Sequence, residues 1–434
     1  MLSAFTNAFR TPDLRNKILF SLGIIVIFRL GSAIPIPNVN VQQVDTCRAL
    51  ASGGAAGFAS MLNMFSGGAL LKLAVFALGV MPYITSSIIL QLLTVVIPRL
   101  EALRKEGGQG QEKITQYTRY LTILLAIMQS TAFVTLAVND QLIPGCTGLV
   151  YNTGLFPIIV MILTMTAGTS LVMWLGELIT EKGVGNGMSV LIFTSVAAQF
   201  PNGLASVRQS RPGSQGWVVM GLVILVGLAV MAAVVFIEQG QRRIGVQYAK
   251  KMIGGKLRGG TSTYIPVKVN QAGVIPVIFA SSMLYLPVLF STFRPDGPAA
   301  QWVSKYFGSM SHPVYVITYA VLIIFFAYFY VAITFNTEEI ADNMKKYGGF
   351  IPGIRAGRPT EKYLSYVLSR LTAPGSIYLA LIALIPSVAF ILFQANQNFP
   401  FGGTSLLIIV GVGLDTIKQI ESKLQQHNYE GFLR

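Results

Sequence analysis

Ten stretches of the chain are apolar enough to be predicted as transmembrane helices. A helix needs roughly 20 apolar residues to cross the hydrocarbon core of a membrane. The fifth and tenth stretches fall short of that, because their apolar runs stop at Pro201 and at Asp415. Short spans must be sheltered by neighbours or line a water-filled cavity, since lipid cannot satisfy irregular backbone. The predicted spans are residues 18–34, 74–97, 118–138, 155–176, 187–206, 217–237, 273–293, 313–335, 375–395 and 402–417.

A sequence repeat relates the two halves of this pattern. The hexapeptide GVMPYI at 79–84 returns as GVIPVI at 273–278, 194 residues later. A span interrupted by glycine and proline at matching places in two halves points to a central pathway between repeats. The alternative is that Gly-Val-x-Pro is ordinary sequence for a membrane helix. We predict an N-terminal half, 1–206, and a C-terminal half, 207–434.

The composition excludes most other classes of protein. Hydrophobic residues make up 53% of the chain and charged residues 11%, whereas soluble domains contain about 25% charged residues. Two histidines and two cysteines are too few for a metal site built on those ligands. The GVGNG sequence at 183–187 lacks the following Lys-Ser/Thr of a phosphate-binding loop, so we expect a tight turn there. The sequence therefore predicts a polytopic membrane protein that is not an enzyme and needs no cofactor.

Acidic side chains are placed at the ends of the predicted spans. Glu177, Glu238 and Asp415 all lie near a predicted membrane surface, and the middle of each predicted span lacks Asp and Glu. Ion-coupled transporters commonly have ionisable groups in their pathway, so a passive conduit is favoured over a transporter. A noncatalytic assembly scaffold is the second alternative. Arg29 is the one embedded charge, and we expect it to reach the interface or to pair with a polar group.

Lysine and arginine set the predicted orientation. Of 32 such residues, 25 lie at one set of loops and span ends and 6 at the other, with Arg29 inside span 1. Because cytosolic loops carry the excess of positive charge, both termini are predicted to be cytosolic. Two cytosolic loops, 238–272 and 336–373, are unusually long, and long loops are commonly functional.

These two loops are also strongly basic. The first is predicted to form a projecting hairpin, with strand character at 263–269. Such loops could dock on an acidic protein or on RNA phosphates. The alternative is that their charges only fix topology and contact lipid headgroups. The candidate docking residues are Arg242, Arg243, Lys250 and Arg355.

The two cysteines lie in different loops of the predicted outer face, Cys47 after span 1 and Cys146 after span 3. A disulfide is possible in an oxidising compartment. Alpha carbons more than about 7 Å apart would exclude it.

Ten short motifs are spread along the whole chain: NMFSGGA (63–69), GVMPYI (79–84), QLLT (91–94), QYTRY (116–120), MWLGE (173–177), GNG (185–187), GQRR (240–243), VNQAGVIP (269–276), PGIR (352–355) and FGGTSLLI (401–408). These motifs resemble those of the SecY family, the central channel subunits of the bacterial protein translocase. The resemblance implies an all-α fold of ten transmembrane helices, arranged as two inverted five-helix halves around a central hourglass pore.

The same resemblance implies roles for individual residues. A ring of aliphatic side chains would form the waist of the pore, and a short half-helix at about 58–71 would plug its outer funnel. Signal sequences would leave sideways through a lateral gate between spans 2–3 and 7–8. The implied ring residues are Val80, Ile84, Met188, Ile192, Ile278 and Ile408; the plug includes Phe58, Met61, Leu62, Asn63, Met64, Phe65, Ser66, Gly67 and Gly68; and the gate residues are Ser86, Ser87, Gln129, Ser281 and Ser282.

The resemblance further implies a passive pore for unfolded preproteins in the cytoplasmic membrane. The implied partners are the SecE and SecG subunits, the SecA motor ATPase, the ribosome, preprotein signal sequences, membrane lipids and, as further candidates, SecDF and YidC.

Overall fold

The structure is a computed structural model that describes residues 11–50, 66–140, 142, 146–209, 214–248, 251–253, 256–258, 262–293, 297–307, 312–393 and 403–430. Each of the ten predicted spans overlaps a helix of the structure. The helices are Pro12–Gly31 (α1), Val41–Leu50 (α2), Met81–Val96 (α3), Pro98–Lys105 (α4), Gly108–Val138 (α5), Leu155–Lys182 (α6), Gly187–Ala197 (α7), Phe200–Gln209 (α8), Ser214–Gln239 (α9), Ile275–Phe293 (α10), Pro298–Phe307 (α11), Pro313–Thr334 (α12), Thr337–Lys346 (α13), Arg358–Phe393 (α14) and Gly403–Glu430 (α15).

Several of these helices are long and apolar enough to span a membrane. Within the described residues seven pass that test, and the pair formed by α3 and α4 would make eight if counted as one span bent by 101°. α10 contributes a shorter apolar helix, 275–284. α1 carries four charged residues, including Arg29, among its 20. The chain is thus a multi-pass membrane protein with a mostly helical fold.

The prediction of a continuous second span over 74–97 is wrong in its first turns. Residues 66–80 form turns, and the helix begins only at Met81, with Pro82 in its first turn. Backbone groups of this irregular segment form strand-like hydrogen bonds with the residues at the end of span 1. Ile36 N–H donates to Leu73 O at 2.9 Å, and Val75 N–H donates to Ile34 O at 2.9 Å. Such backbone is tolerated at membrane depth where protein encloses it.

The helices of the ninth and tenth spans extend beyond the predicted spans. α14 begins at Arg358, 17 residues before the predicted span, and α15 runs to Glu430, past Asp415. Hydropathy marks only the part of a helix that matches lipid, whereas the helix itself continues into water. The apolar part of the tenth span is short, but its helix is not.

The hairpin prediction for the loop 238–272 is confirmed. Strand β1 (Gln241–Tyr248) pairs antiparallel with β4 (Ser262–Lys268), and the short strands β2 (Lys251–Ile253) and β3 (Lys256–Arg258) pair with each other. The loop 336–373 is ordered too, since it contains α13 and the strand β5 (Gly349–Phe350). β5 adds to the free edge of β1, giving the order β4-β1-β5. The sequence did not reveal that the two long loops share one sheet.

Candidate functional site

The first element of the site is an apolar cluster where spans 2, 5 and 10 meet. α15 packs against α7, which brings Ile408 to Ile192. Val80 and Met188 are buried in the same cluster, and Ile84 packs against it. Ile278 is buried as well, with 7% of its surface exposed, but it lies outside this cluster. Five of the six predicted ring residues are therefore brought together.

The two copies of the repeat have the same local backbone. Gly79 and Gly273 have φ angles of 55° and 62°, a region that glycine adopts without steric cost. A helix follows each glycine: Ile84 N–H donates to Val80 O at 3.1 Å, and Ile278 N–H donates to Val274 O at 3.3 Å. Ile84 and Ile278 thus stand at equivalent places, one turn into their helices. This likeness favours a structural repeat over a chance similarity of helix sequence.

A tight turn positions Met188, as predicted for the GVGNG sequence. Asn186 caps α7 by accepting from Ser189 N–H, and Gly187 N–H donates to Thr180 Oγ1 at 2.8 Å. A side chain on Gly187 would overlap the carbonyl oxygen of Gly176. The turn therefore presses the start of α7 against α6, directly before Met188.

Span 1 supports the cluster from one side, which sequence reasoning missed. The rings of Phe28 and Phe76 stack with centroids 5.9 Å apart. Both belong to the cluster that holds the ring residues, as does Ile24. Phe76 lies in the irregular segment before α3, so no periodic spacing along the sequence links it to Phe28.

Arg29 is bound to the end of the predicted plug. Its Nη1 donates to Gly67 O at 3.2 Å. Gly67 and Gly68 have φ angles of 68° and 89° and are buried, Gly67 beside Ser195 of α7. Ser66 Oγ accepts from Leu70 N–H at 3.0 Å. The expectation that Arg29 pairs with a polar group is confirmed. The predicted plug residues Phe58, Met61, Leu62, Asn63, Met64 and Phe65 lie outside the described residues.

The predicted gate residues lie on helices that approach one another. α10 contacts both α3 and α5, far less extensively than α3 contacts α5. Ser86 Oγ donates to Thr118 O at 2.8 Å, which joins span 2 to span 3 within one half. Ser281 Oγ lies 3.0 Å from Tyr319 Oη, which joins span 7 to span 8 within the other.

Three predicted gate residues remain: Gln129, Ser87 and Ser282. Gln129 is buried and Ser87 is half-buried. The buried hydroxyl of Ser282 has no hydrogen-bond partner among the described residues. The hydrogen bonds of Ser86 and Ser281 thus tie helices together within each half, and their partners are not across the predicted seam.

The basic docking candidates lie on or beside the three-stranded sheet. Arg242 and Arg243 are exposed on β1, with the Arg243 guanidinium 4.9 Å from the centre of the Tyr264 ring. Arg355 is exposed in the turn that follows β5. Lys250 lies outside the described residues. The shared sheet thus brings basic residues of two distant loops onto or next to one structural unit.

One ion pair was not singled out from the sequence. Arg119 of α5 donates two hydrogen bonds to the carboxylate of Glu177 on α6, at 2.9 and 2.8 Å. A bidentate arginine–carboxylate pair requires a specific geometry, so it fixes the position of span 3 relative to span 4. Both residues lie in motifs of the family, QYTRY and MWLGE. They are 58 positions apart, so no local pattern in the sequence indicates that they pair.

The two cysteines are adjacent in the structure. Cys47 and Cys146 are joined as a disulfide, with alpha carbons 5.7 Å apart. That separation is within the 4.4–6.8 Å range usual for disulfides.

Comparison with known proteins gives consistent matches. The family model described as SecY matches residues 74–417. The protein translocase subunit SecY of Streptomyces coelicolor is 63% identical over 438 residues, with both chains fully covered. The protein of the same name from Mycobacterium tuberculosis is 58% identical over 446 residues, again with full coverage.

Solved structures match at the level of the fold. A structure described as a protein conducting channel aligns with a TM-score of 0.61 and 18% identity, covering 94% of this chain and 91% of the other. Sec61 in the canine ribosome-channel complex aligns with a TM-score of 0.58, 18% identity and the same coverage.

Proposed function

The chain belongs to the SecY family of protein translocase channel subunits, and from this premise we propose how its parts work. It is a channel subunit and not an enzyme. Unfolded preproteins pass through the apolar ring, and transmembrane segments leave sideways between spans 2–3 and 7–8. The pore itself is passive, driven by SecA or by the translating ribosome.

The meeting of Val80, Met188, Ile192 and Ile408 in one buried cluster carries this proposal. A constriction lined by apolar side chains gates by dewetting, because it offers an ion no ligands to replace its lost hydration. The same lining forms no strong polar contact with a passing peptide, so an extended chain can slide through it. Three different spans supply these residues, so moving those spans apart widens the constriction.

Contacts of Arg29 and of α10 support the proposed roles of the plug and the gate. Near the C-terminal end of the plug segment, Arg29 donates a hydrogen bond to Gly67 O, and a single bond of this kind can break during opening. The contact of α10 with α3 and α5 is small, which suits a seam that must reopen. Ion-coupled transport is disfavoured by the absence of carboxylates from the middle of the spans.

The partners and the membrane orientation are part of the same proposal. SecE and SecG complete the channel, and SecA or the ribosome docks on the cytosolic sheet. Signal sequences and lipids meet the gate, with SecDF and YidC as further partners. The protein lies in the plasma membrane with both termini cytosolic, and its halves are 1–206 and 207–434.

Reconstitution tests the proposal as a whole. The chain is purified with SecE and SecG, placed in lipid vesicles, and supplied with SecA, ATP and an unfolded preprotein. We expect preprotein to become protected from external protease only when all components are present. Protection that persists without the chain would contradict the proposal, as would an ion-driven flux of small solutes in the absence of preprotein.

The exposed arginines on and beside the three-stranded sheet allow a test of partner docking. We expect the triple variant Arg242→Glu, Arg243→Glu and Arg355→Glu to lower the SecA-driven translocation rate at least severalfold, because an acidic docking surface would now be repelled. The rate is read as protease-protected preprotein against time. The matched control is Lys305→Glu, an exposed cation on the predicted outer face. Equal rates for the two variants would refute docking at this sheet.

A further inference from the structure

A hydrogen bond crosses the predicted seam near the proposed cytosolic surface. Arg104 Nη2 on α4 donates to Ile333 O in the last turn of α12 at 3.2 Å. α4 directly follows span 2, and α12 is span 8, so the bond joins helices on opposite sides of the proposed lateral gate. Ser86 and Ser281, by contrast, bond within their own halves. The seam therefore has a polar connection at its cytosolic end.

The acceptor is a carbonyl group at the end of a helix. The last four carbonyl groups of a helix have no partner within it, and Ile333 is the second-last residue of α12. Phe335 then has an extended backbone, with φ −105° and ψ 90°, which ends the helix. Because aligned peptide dipoles give this end a partial negative charge, a guanidinium binds there better than a neutral side chain.

Each partner of the bond is attached to its own side of the seam. α4 turns by 101° from α3 and packs closely on the start of α5, since a methyl group on Gly110 would overlap Leu103 O. On the other side, the ring centroid of Phe279 on α10 lies 5.3 Å from that of Phe326 and 6.4 Å from that of Tyr330, both on α12. The donor thus moves with spans 2 and 3, and the acceptor moves with spans 7 and 8.

Neighbouring charges act in the same direction. Lys105 follows Arg104 on α4, and Glu338 lies in the first turn of α13, which follows α12. The pKa of Lys105 is raised, first by its 2.7 Å ion pair with Glu101 and also by the charge of Glu338. The cationic end of α4 is therefore attracted to the start of α13 as well as to the end of α12. Both side chains are exposed, so this added attraction is weak.

We propose that Arg104 is a positioning residue that holds the resting lateral gate shut at its cytosolic end, and that an entering signal sequence must break its bond to Ile333. The proposal rests on the proposed gate between spans 2–3 and 7–8. One exposed hydrogen bond from a charged donor favours the closed seam, yet a bound segment can replace it. Opening then depends on how well the signal sequence binds, so Arg104 helps the channel to reject preproteins with weak signals.

Translocation of two preproteins tests this role. One has an intact signal sequence, and the other has a signal with a shortened apolar core. In the reconstituted complex with SecA and ATP, the rate for the weakened signal is divided by the rate for the intact one. We expect Arg104→Ala to raise this ratio severalfold over wild type, and Arg104→Glu to raise it further, because glutamate is repelled by the helix end. A loss of folding would lower both rates and would not raise the ratio.

Arg99 provides the matched control. It is an exposed arginine on the same helix, and among the described residues no hydrogen bond joins it to α12. Arg99→Ala and Arg99→Glu make the same changes of charge, and we expect both to keep the wild-type ratio. A ratio for Arg104→Ala that is equal to or below the wild-type value would overturn the proposal, as would an equal rise for Arg99→Ala.

A covalent bridge at the same place separates the role of Arg104 from the gate itself. The variant Arg104→Cys, Thr334→Cys is bridged by a photocleavable bis-maleimide, and release of a transmembrane segment into lipid is measured before and after irradiation. Thr334 is exposed, whereas Cys47 and Cys146 are buried and joined to each other. We expect the bridged channel to retain the segment and to release it after cleavage.

The outcomes of the two experiments are distinct. If the bridge blocks release while Arg104→Ala leaves the ratio unchanged, the role of Arg104 fails and the gate stands. If the bridged channel releases the segment freely, the proposed gate between these spans fails, and the role of Arg104 fails with it.

Discussion

Replacing Ile192 with aspartate is expected to make the resting channel leak ions. Ile192 is 7% exposed and lies in the cluster with Val80 and Ile408. Placing a carboxylate among apolar side chains without a partner costs several kcal/mol, so the closed packing is weakened and water enters. Since about 1.4 kcal/mol shifts an equilibrium tenfold, we expect the leak to rise roughly tenfold or more. The measurement is the decay of an ion gradient across vesicles that hold the complex without preprotein.

Two control variants separate sealing from folding. Ile192→Val keeps the apolar lining and is expected to leave the leak unchanged. Thr194→Asp puts the same charge two residues further along α7, which points it to a different side of the helix. If Thr194→Asp leaks as much as Ile192→Asp while both assemble normally, the leak comes from a general disturbance of α7 and not from the ring.

Replacing Gly403 with alanine is expected to destabilise the protein strongly. An added methyl group at Gly403 would overlap the carbonyl oxygen of Ile382 on α14. Overpacking in a well-packed core typically costs about 1–3 kcal/mol, and we expect the upper end because the opposing atom belongs to a helix backbone. The shift would also move the start of α15, and Ile408 with it. The measurement is the fraction of purified complex that stays monodisperse after heating.

The same helix provides the matched control. Among the described residues, no atom outside the neighbouring backbone of α15 lies within 4 Å of the position that a methyl group on Gly413 would take. Gly413→Ala should therefore be neutral or slightly stabilising, since alanine favours a helix over glycine. Equal heat resistance of the two variants would show that the close approach at Gly403 does not limit stability.

The sequence predicted the positions of the spans because membrane helices need long apolar runs. It also predicted the hairpin at 238–272, because glycines and strand-forming residues are strong local signals. The sequence did not predict backbone structure that depends on tertiary contacts. Residues 73–80 are apolar enough to be helical, yet Leu73 and Val75 form backbone hydrogen bonds with Ile36 and Ile34 instead.

Other features of the structure correspond to no local pattern in the sequence. β5 is only two residues long, and its pairing with Tyr248 and Gln247 depends on a contact between distant loops. The Phe28–Phe76 stack and the Arg119–Glu177 pair likewise join elements far apart in the chain. The ring residues were implied by family resemblance alone, since aliphatic residues four apart are common on any buried helix.

Crosslinking from the ring to a passing chain tests the central claim most directly. A photoreactive residue replaces Ile192 in one variant and Leu225 in another; Leu225 lies on α9 with 68% of its surface exposed, as expected for a lipid-facing residue. A preprotein is then stalled midway in SecA-driven translocation and the sample is irradiated. We predict that the mature part of the preprotein crosslinks at position 192 and not at position 225. A stalled preprotein that never crosslinks at position 192, in a complex that translocates normally, would contradict passage through the apolar ring.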